Sequence, residues 1–208
     1  METSKSWLAK SRLISEKEAM KVLRTHDALF KKAEKSKSVD GVIDLECYCS
    51  KETRIIEGNL TLPSLHLESG GPSLFVAGNL DVKGLLKHDS RAGFLVVLGN
   101  LSADAIVTTS QIVIVGSLDV RDTIYGNCTN YTTAVLGRTK AKLLVSAKEH
   151  YFCFYGGKDI ETIVDVYGDT PNLDDRDFDS EEALAMSDPY SDDEAAKLLA
   201  EGRSLLAG

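Results

Sequence analysis

Leu74-Phe75-Val76-Ala77-Gly78-Asn79-Leu80-Asp81-Val82 sets out a pattern that recurs along the chain. An apolar, β-rich run ends in glycine, a short polar turn follows, and Leu-x-Val or a close relative resumes the run. The glycines are Gly58, Gly78, Gly99, Gly116, Gly137 and Gly156, spaced by 20, 21, 17, 21 and 19 residues. Four residues beyond each lie Leu62, Val82, Ala103, Val120, Ala141 and Ile160. Seven beyond come Leu65, Leu85, Ile106, Thr123 (with Ile124 next), Leu144 and Ile163. With the runs that precede the glycines, three apolar tracks stay in phase through six units.

A unit near 20 residues with short β segments cannot bury a face alone, so successive units must stack around a shared axis. Parallel neighbours about 4.8 Å apart then place equivalent side chains in ladders. Glycine permits φ > 0 at the turn, and Asn59, Asn79 and Asn100 directly after it would stack as an amide ladder. The expected fold is all-β, a parallel β-helix of about six coils. Left-handed hexapeptide helices keep a strict period of 18, which the variable spacing does not fit, so the right-handed form is expected.

The ends of a β-helix are sheet edges that need caps. Ser15-Glu16-Lys17-Glu18 is a capping box, and Ala19, Met20, Leu23, His26, Leu29, Phe30 and Ala33 follow at helical spacing. They predict one amino-terminal capping helix ending near Lys35, with His26 as a core histidine. Gly41 to Tyr48 reads as a first strand. Beyond Thr170-Pro171, Ser180 starts a short helix that stops before Pro189. Ser191 to Glu194 is a second capping box, opening a helix through Leu206. The expected division is a helical cap over 1–40, the β-helix over 41–168 and an acidic extension with short helices over 169–208.

Composition sets the remaining bounds. With 43% hydrophobic and 27% charged residues the chain is globular rather than disordered. It has no apolar run of roughly 20 residues and no apolar stretch after Met1, so a cytoplasmic location without membrane contact is expected. The net charge of −8 is uneven: residues 159–194 hold 14 acidic residues against Arg176 alone. Such a block disfavours nucleic acid, whose affinity comes from neutralised phosphates; its charge alone reads either as a solvated tail or as an attraction for a basic protein partner. It also interleaves Val166, Tyr167, Leu173, Phe178, Leu184 and Met186, a mixture suited to an interface. The candidate partner-binding residues are Asp169, Leu173, Asp174, Asp175, Asp177, Phe178, Asp179, Glu181 and Glu182.

Chemistry is harder to find. Cys47, Cys49, Cys128 and Cys153 form no C-x-x-C pair, and are expected to be reduced and mostly buried, so no metal is expected. His66, His88 and Asp89 are the one acid–base cluster the repeat could assemble. Asp81, Asp104, Asp119 and Asp122 read as an outward charge row that keeps the sheets soluble. No nucleotide, hydrolase or zinc-protease motif occurs, so the chain is expected to be non-catalytic, with no cofactor.

The coils at Gly78 to Val82 and Gly116 to Val120 resemble those of the polymer-forming bactofilin family of bacterial cytoskeletal proteins, over about residues 52–166. That resemblance implies a β-helix stacking end to end, hence a homo-oligomeric scaffold. The helical flanks and acidic extension depart from the bactofilin pattern. In general character, a small acidic β-helix without a catalytic site is similar to the immunity proteins encoded beside bacterial polymorphic toxins. The leading expectation is therefore an immunity protein that neutralises a basic toxin domain through its acidic carboxy-terminal region. The bactofilin-like scaffold is the alternative.

Overall fold

The computed structural model describes residues 7–36, 52–128, 131–148, 150–166, 178–179 and 184–207. It opens with α1 (Trp7–Lys10), β1 (Arg12–Ile14), α2 (Glu16–Arg24) and α3 (Asp27–Ser36). Six turns of parallel β-helix follow. Their strands are β2 (Thr53–Ile56), β3 (Leu60–Leu62), β4 (Leu65–Leu67), β5 (Ser73–Val76), β6 (Leu80–His88), β7 (Leu95–Val97) and β8 (Leu101–Thr108). The later turns supply β9 (Ile112–Ile114), β10 (Leu118–Val120), β11 (Thr123–Asn127), β12 (Thr132–Val135), β13 (Thr139–Ala147), β14 (Tyr151–Phe154) and β15 (Lys158–Asp165). β16 (Phe178–Asp179) and α4 (Asp192–Ala200) complete the described chain. The predicted strand at Gly41 to Tyr48 lies outside the described residues.

One sheet stacks in the order β1-β2-β5-β7-β9-β12-β14, the other in the order β16-β15-β13-β10-β8-β6-β3. β4 pairs β6, and β11 lies between β13 and β8, so the second sheet divides into two flanks. The expected tracks face the axis: Leu62, Val82, Ala103, Val120 and Ala141 are all buried. The last track differs by one residue in two coils. Its register runs Leu65, Leu86, Ile106, Ile124, Leu144, Ile163. A bulge between Val82 and Leu85 inserts an extra residue into β6, which puts Leu86 on the axis and turns Leu85 outward.

The glycines are required for a different reason than the turn geometry suggests. Among the repeat glycines only Gly58 has positive φ, at 97°. Gly78, Gly99, Gly116 and Gly137 each donate the N–H to the carbonyl of the repeat glycine before, at 3.0 Å. A Cβ on Gly99 would lie 2.7 Å from the Gly78 carbonyl. The stack is thus held by backbone passing directly over backbone. The asparagine ladder forms beside it: Asn59 Oδ1 accepts from Asn79 N, Asn79 Oδ1 from Asn100 N (both 2.8 Å), and Asn100 Oδ1 from Ser117 N.

The amino-terminal helices lie along a flank rather than over the end. Ala19, Leu23 and Phe30 pack on Ile55, Phe75, Val96, Val113, Ala134 and Cys153, the outward row of the first sheet. One helix was expected, and two form, because the chain breaks at Thr25–His26 and Thr25 Oγ1 donates back to the Val22 carbonyl at 2.6 Å. His26 is consequently half-buried at this junction, its Nδ1 beside Thr25 Oγ1, and not a core residue. The end itself is closed by α1 and β1. Trp7 joins the axial core, and β1 pairs antiparallel with β2. Arg54 takes the position held by Leu74, Leu95 and Ile112 in later coils, and its guanidinium donates to Ser11 Oγ (2.8 Å) and the Ser11 carbonyl (3.3 Å).

On the third flank Ala195, Ala196, Leu198, Leu199 and Leu205 cover Ala105, Val107, Tyr125, Leu143, Val145 and Val164. α4 stops at Ala200 instead of reaching Leu206. Gly202 turns left-handed at φ 71°, and the Gly202 and Arg203 N–H groups return to the Leu199 and Leu198 carbonyls. Between the helix-covered flanks lies a polar one, carrying Thr61, Asp81, Ser102, Asp119, Lys140 and Asp159. There Asp81 pairs with Lys83 and Asp104 with Arg121, each at 2.6 Å.

Candidate functional site

Of the expected partner-binding residues, Phe178 and Asp179 form β16, which pairs in parallel with β15 through Ile163↔Phe178 and Val164↔Asp179. They therefore continue the second sheet past its last coil. Asp169, Leu173, Asp174, Asp175, Asp177, Glu181 and Glu182 lie outside the described residues. Three apolar residues of the acidic stretch, Val166, Leu184 and Met186, pack in the same cluster as α4. Their role is internal, which the alternation of acid and anchor in the sequence does not reveal. The described part of the helix expected from Ser180, residues 184–190, is not helical. Leu184 instead bridges Leu206, and Ala185 N donates to the Leu205 carbonyl at 2.7 Å.

Residues 184–207 form a closed unit around α4. Ser191 caps the helix, its Oγ accepting from Glu194 N at 3.1 Å. The Glu194 carboxylate does not complete a reciprocal box; it accepts from Ser187 N, Ser187 Oγ and Asp188 N. Those backbone and hydroxyl bonds hold its pKa below the ordinary carboxylate value. Three contacts then fasten the unit to the solenoid. Tyr125 Oη donates to the Pro189 carbonyl (2.8 Å), Asn127 Nδ2 to the Tyr190 carbonyl (2.6 Å), and Lys87 Nζ pairs with Asp193 (2.7 Å). Burial, with Asp192, Asp188 and Glu194 nearby, raises the Tyr125 pKa, so the phenol stays a donor.

The acidic stretch is thus bracketed by two attachments, β15 to β16 on one side and the α4 unit on the other. Nothing in the sequence marks Lys87, Tyr125 or Asn127 as anchors, because they come from coils two and four and meet α4 only after folding.

The histidines separate. His66 Nε2 lies 2.8 Å from Asp89 Oδ2, and Lys87 Nζ lies 3.3 Å from the other oxygen. Burial raises the Asp89 pKa, but the His66 hydrogen bond and the two charges outweigh it and hold the group low. His88, one residue from Lys87, points to the axis, where its Nε2 donates to the Gly93 carbonyl at 2.7 Å. The period-2 alternation of β6 puts it on the opposite face from His66, so the three-residue acid–base cluster does not assemble. His88 belongs to an inward track of Leu67, His88, Thr108, Gly126, Ser146 and Asp165.

The fully buried His150 ring fills the space above Gly126, whose Cβ would lie 2.5 Å from it, and its Nε2 meets Thr133 Oγ1 at 3.0 Å. Burial, with a smaller push from His88, lowers the His150 pKa to about 3. Among the described residues no group of three or more His, Cys, Asp or Glu side chains could hold a metal ion. Cys153 is buried under α2 and Cys128 is half-buried; Cys47 and Cys49 fall outside the described residues. Among the described residues no helix is long and apolar enough to cross a membrane.

Set against known proteins, the chain is matched by no family model, by no curated protein and by no solved structure.

Proposed function

We propose that this chain is a non-catalytic binding protein whose acidic carboxy-terminal region captures a basic protein, and that it works in the cytoplasm as an immunity protein against a basic toxin domain. The observation that supports this reading is the attachment of the acidic stretch to a rigid solenoid at both its sides, through β16 and through α4. A stretch anchored at two points loses less entropy on binding than a free tail, and the net −13 of residues 159–194 steers a basic partner.

The test is protection. The chain is co-expressed with the products of the genes flanking its own, and cell survival and co-purification are recorded. Survival that depends on the chain, lost when Asp174, Asp175, Asp177 and Asp179 are changed together to Lys, is the expected result. Equal protection by that variant, or flanking products that neither harm the cell nor bind, would overturn the reading. A bactofilin-like scaffold is the second reading. It draws on the far edge of β14, which carries no strand among the described residues, whereas β1 and Trp7 close the opposite end.

A further inference from the structure

We infer that the cavity between α1 and the turn joining β4 to β5 is a binding site for a small neutral phenol. The cavity measures about 190 Å³, and Trp7, Leu8, His66, Leu67 and Pro72 line it. Its walls come from two parts of the chain: α1, which closes the axis, and β4 with the turn beyond it. An apolar cavity of about 150 Å³ takes up benzene, so this one has room for a single ring and a short substituent. Leu8, Leu67 and Pro72 supply apolar contact, and the Trp7 indole supplies a face on which a ring can lie.

Two polar groups in the same walls are unsatisfied in complementary ways. Trp7 is 3% exposed, and its Nε1–H is buried without a hydrogen-bond partner. A tryptophan that only plugs the axis gains nothing from that group, since a buried donor without an acceptor costs free energy. Half-buried His66 offers the other. The Asp89 pKa lies below the ordinary carboxylate value, so Asp89 Oδ2 accepts from His66 Nε2, at 2.8 Å. In the neutral ring that fixes Nδ1 as an acceptor, and Nδ1 has no partner among the described residues. A hydroxyl is the smallest group that serves both. Its hydrogen goes to Nδ1 while a lone pair receives the indole N–H, the indole turning to meet it. Asp89 and Asp193 share Lys87, which leaves a surplus carboxylate beside His66 and disfavours an anionic ligand.

Trp7 is the chain's one tryptophan, so the full chain labelled with nitrogen-15 tryptophan gives a single indole N–H resonance, seated in the cavity wall. That resonance is followed during titration with phenol, toluene, benzoate and N-acetyltyrosinamide, each to about 5 mM. Phenol is expected to move it with a Kd of about 1 mM or lower, in range for a ligand of that size. Toluene has the same shape without the hydroxyl and binds about tenfold more weakly, the loss of one hydrogen bond. Benzoate leaves the resonance in place because of its charge, and N-acetyltyrosinamide because its main chain has no room. His66→Phe lowers phenol affinity about tenfold, to that of toluene, and leaves toluene binding unchanged.

An indole resonance that phenol does not move overturns the inference, and so does equal affinity for phenol and toluene. N-acetyltyrosinamide binding as tightly as phenol overturns it in favour of a tyrosine of a protein partner. Circular dichroism confirms that His66→Phe keeps the fold, and the comparison of phenol with toluene on the unaltered chain needs no variant. The cavity lies at the first coil and β16 beyond the last, so failure here leaves the proposed capture of a basic protein untouched.

Discussion

At the residue scale, two positions show how the same amino acid serves different ends. Gly58 has φ 97° with open space around its missing Cβ, while Gly99 sits under the Gly78 backbone. Alanine at Gly58 is expected to cost about 1–2 kcal/mol, the strain of a left-handed L-residue, and asparagine to recover part of it. At Gly99 the obstacle is backbone, so alanine costs about 3 kcal/mol and the larger asparagine costs more. Urea unfolding of the four variants checks this reversed order. His150 gives a pH signature. Folding holds its pKa near 3, whereas the unfolded chain takes up the proton near 6.5. Its contribution to stability is therefore complete above pH 6.5 and is lost as pH falls from there towards 3, by about 1.4 kcal/mol per unit. Changing His150 to Gln removes one proton from that slope; unfolding free energies at pH 7, 6 and 5 that remain parallel in the two proteins would remove the argument.

At the element scale the C-terminal unit depends on its cap. Ser191→Ala removes the acceptor for Glu194 N and is expected to cost about 1 kcal/mol. Amide exchange in α4 should then quicken about fivefold while the β13 amides stay unchanged, because the unit covers a flank and does not build the coils. Equal acceleration in both would mean that α4 and the solenoid unfold as one. The contrast also explains what was legible beforehand. The glycine spacing and three apolar tracks disclose the solenoid, since stacking repeats the same demand in every coil. Both serine caps were legible because capping is local. The bulge in β6 was not, since Leu85 and Leu86 are both apolar and only the register chooses between them. β1 was missed because three residues on an edge carry no period. An amphipathic helix announces an apolar face but not which surface it meets, and so α2 was expected over the end and lies along a side. For the candidate site, the charge of the acidic stretch was plain, whereas the inward use of Val166, Leu184 and Met186 depends on contacts far apart in sequence.

At the scale of the whole molecule, charge and shape act together. The described coils mix both signs: on the polar flank Asp81 faces Lys83, Asp104 faces Arg121 and Asp159 faces Arg138. Local pairing of this kind cancels within a few ångströms and leaves little long-range field. The stretch that follows β15 is different, because residues 166–194 hold eleven acidic side chains against Arg176 alone. A basic partner approaching from beyond a Debye length, about 10 Å at 0.1 M salt, is therefore guided by that end of the molecule. Steering of this kind acts on the encounter, and short-range packing then governs escape. The association rate with the basic partner proposed above is expected to fall about tenfold or more between 50 and 500 mM salt, with dissociation nearly constant. Reversing Asp174, Asp175, Asp177 and Asp179 to Lys should slow association at low salt to roughly the wild-type high-salt rate and flatten the dependence. A reversed variant whose rate still climbs steeply as salt is removed would show that the capturing field originates elsewhere, with the middle flank of the solenoid the next surface to alter.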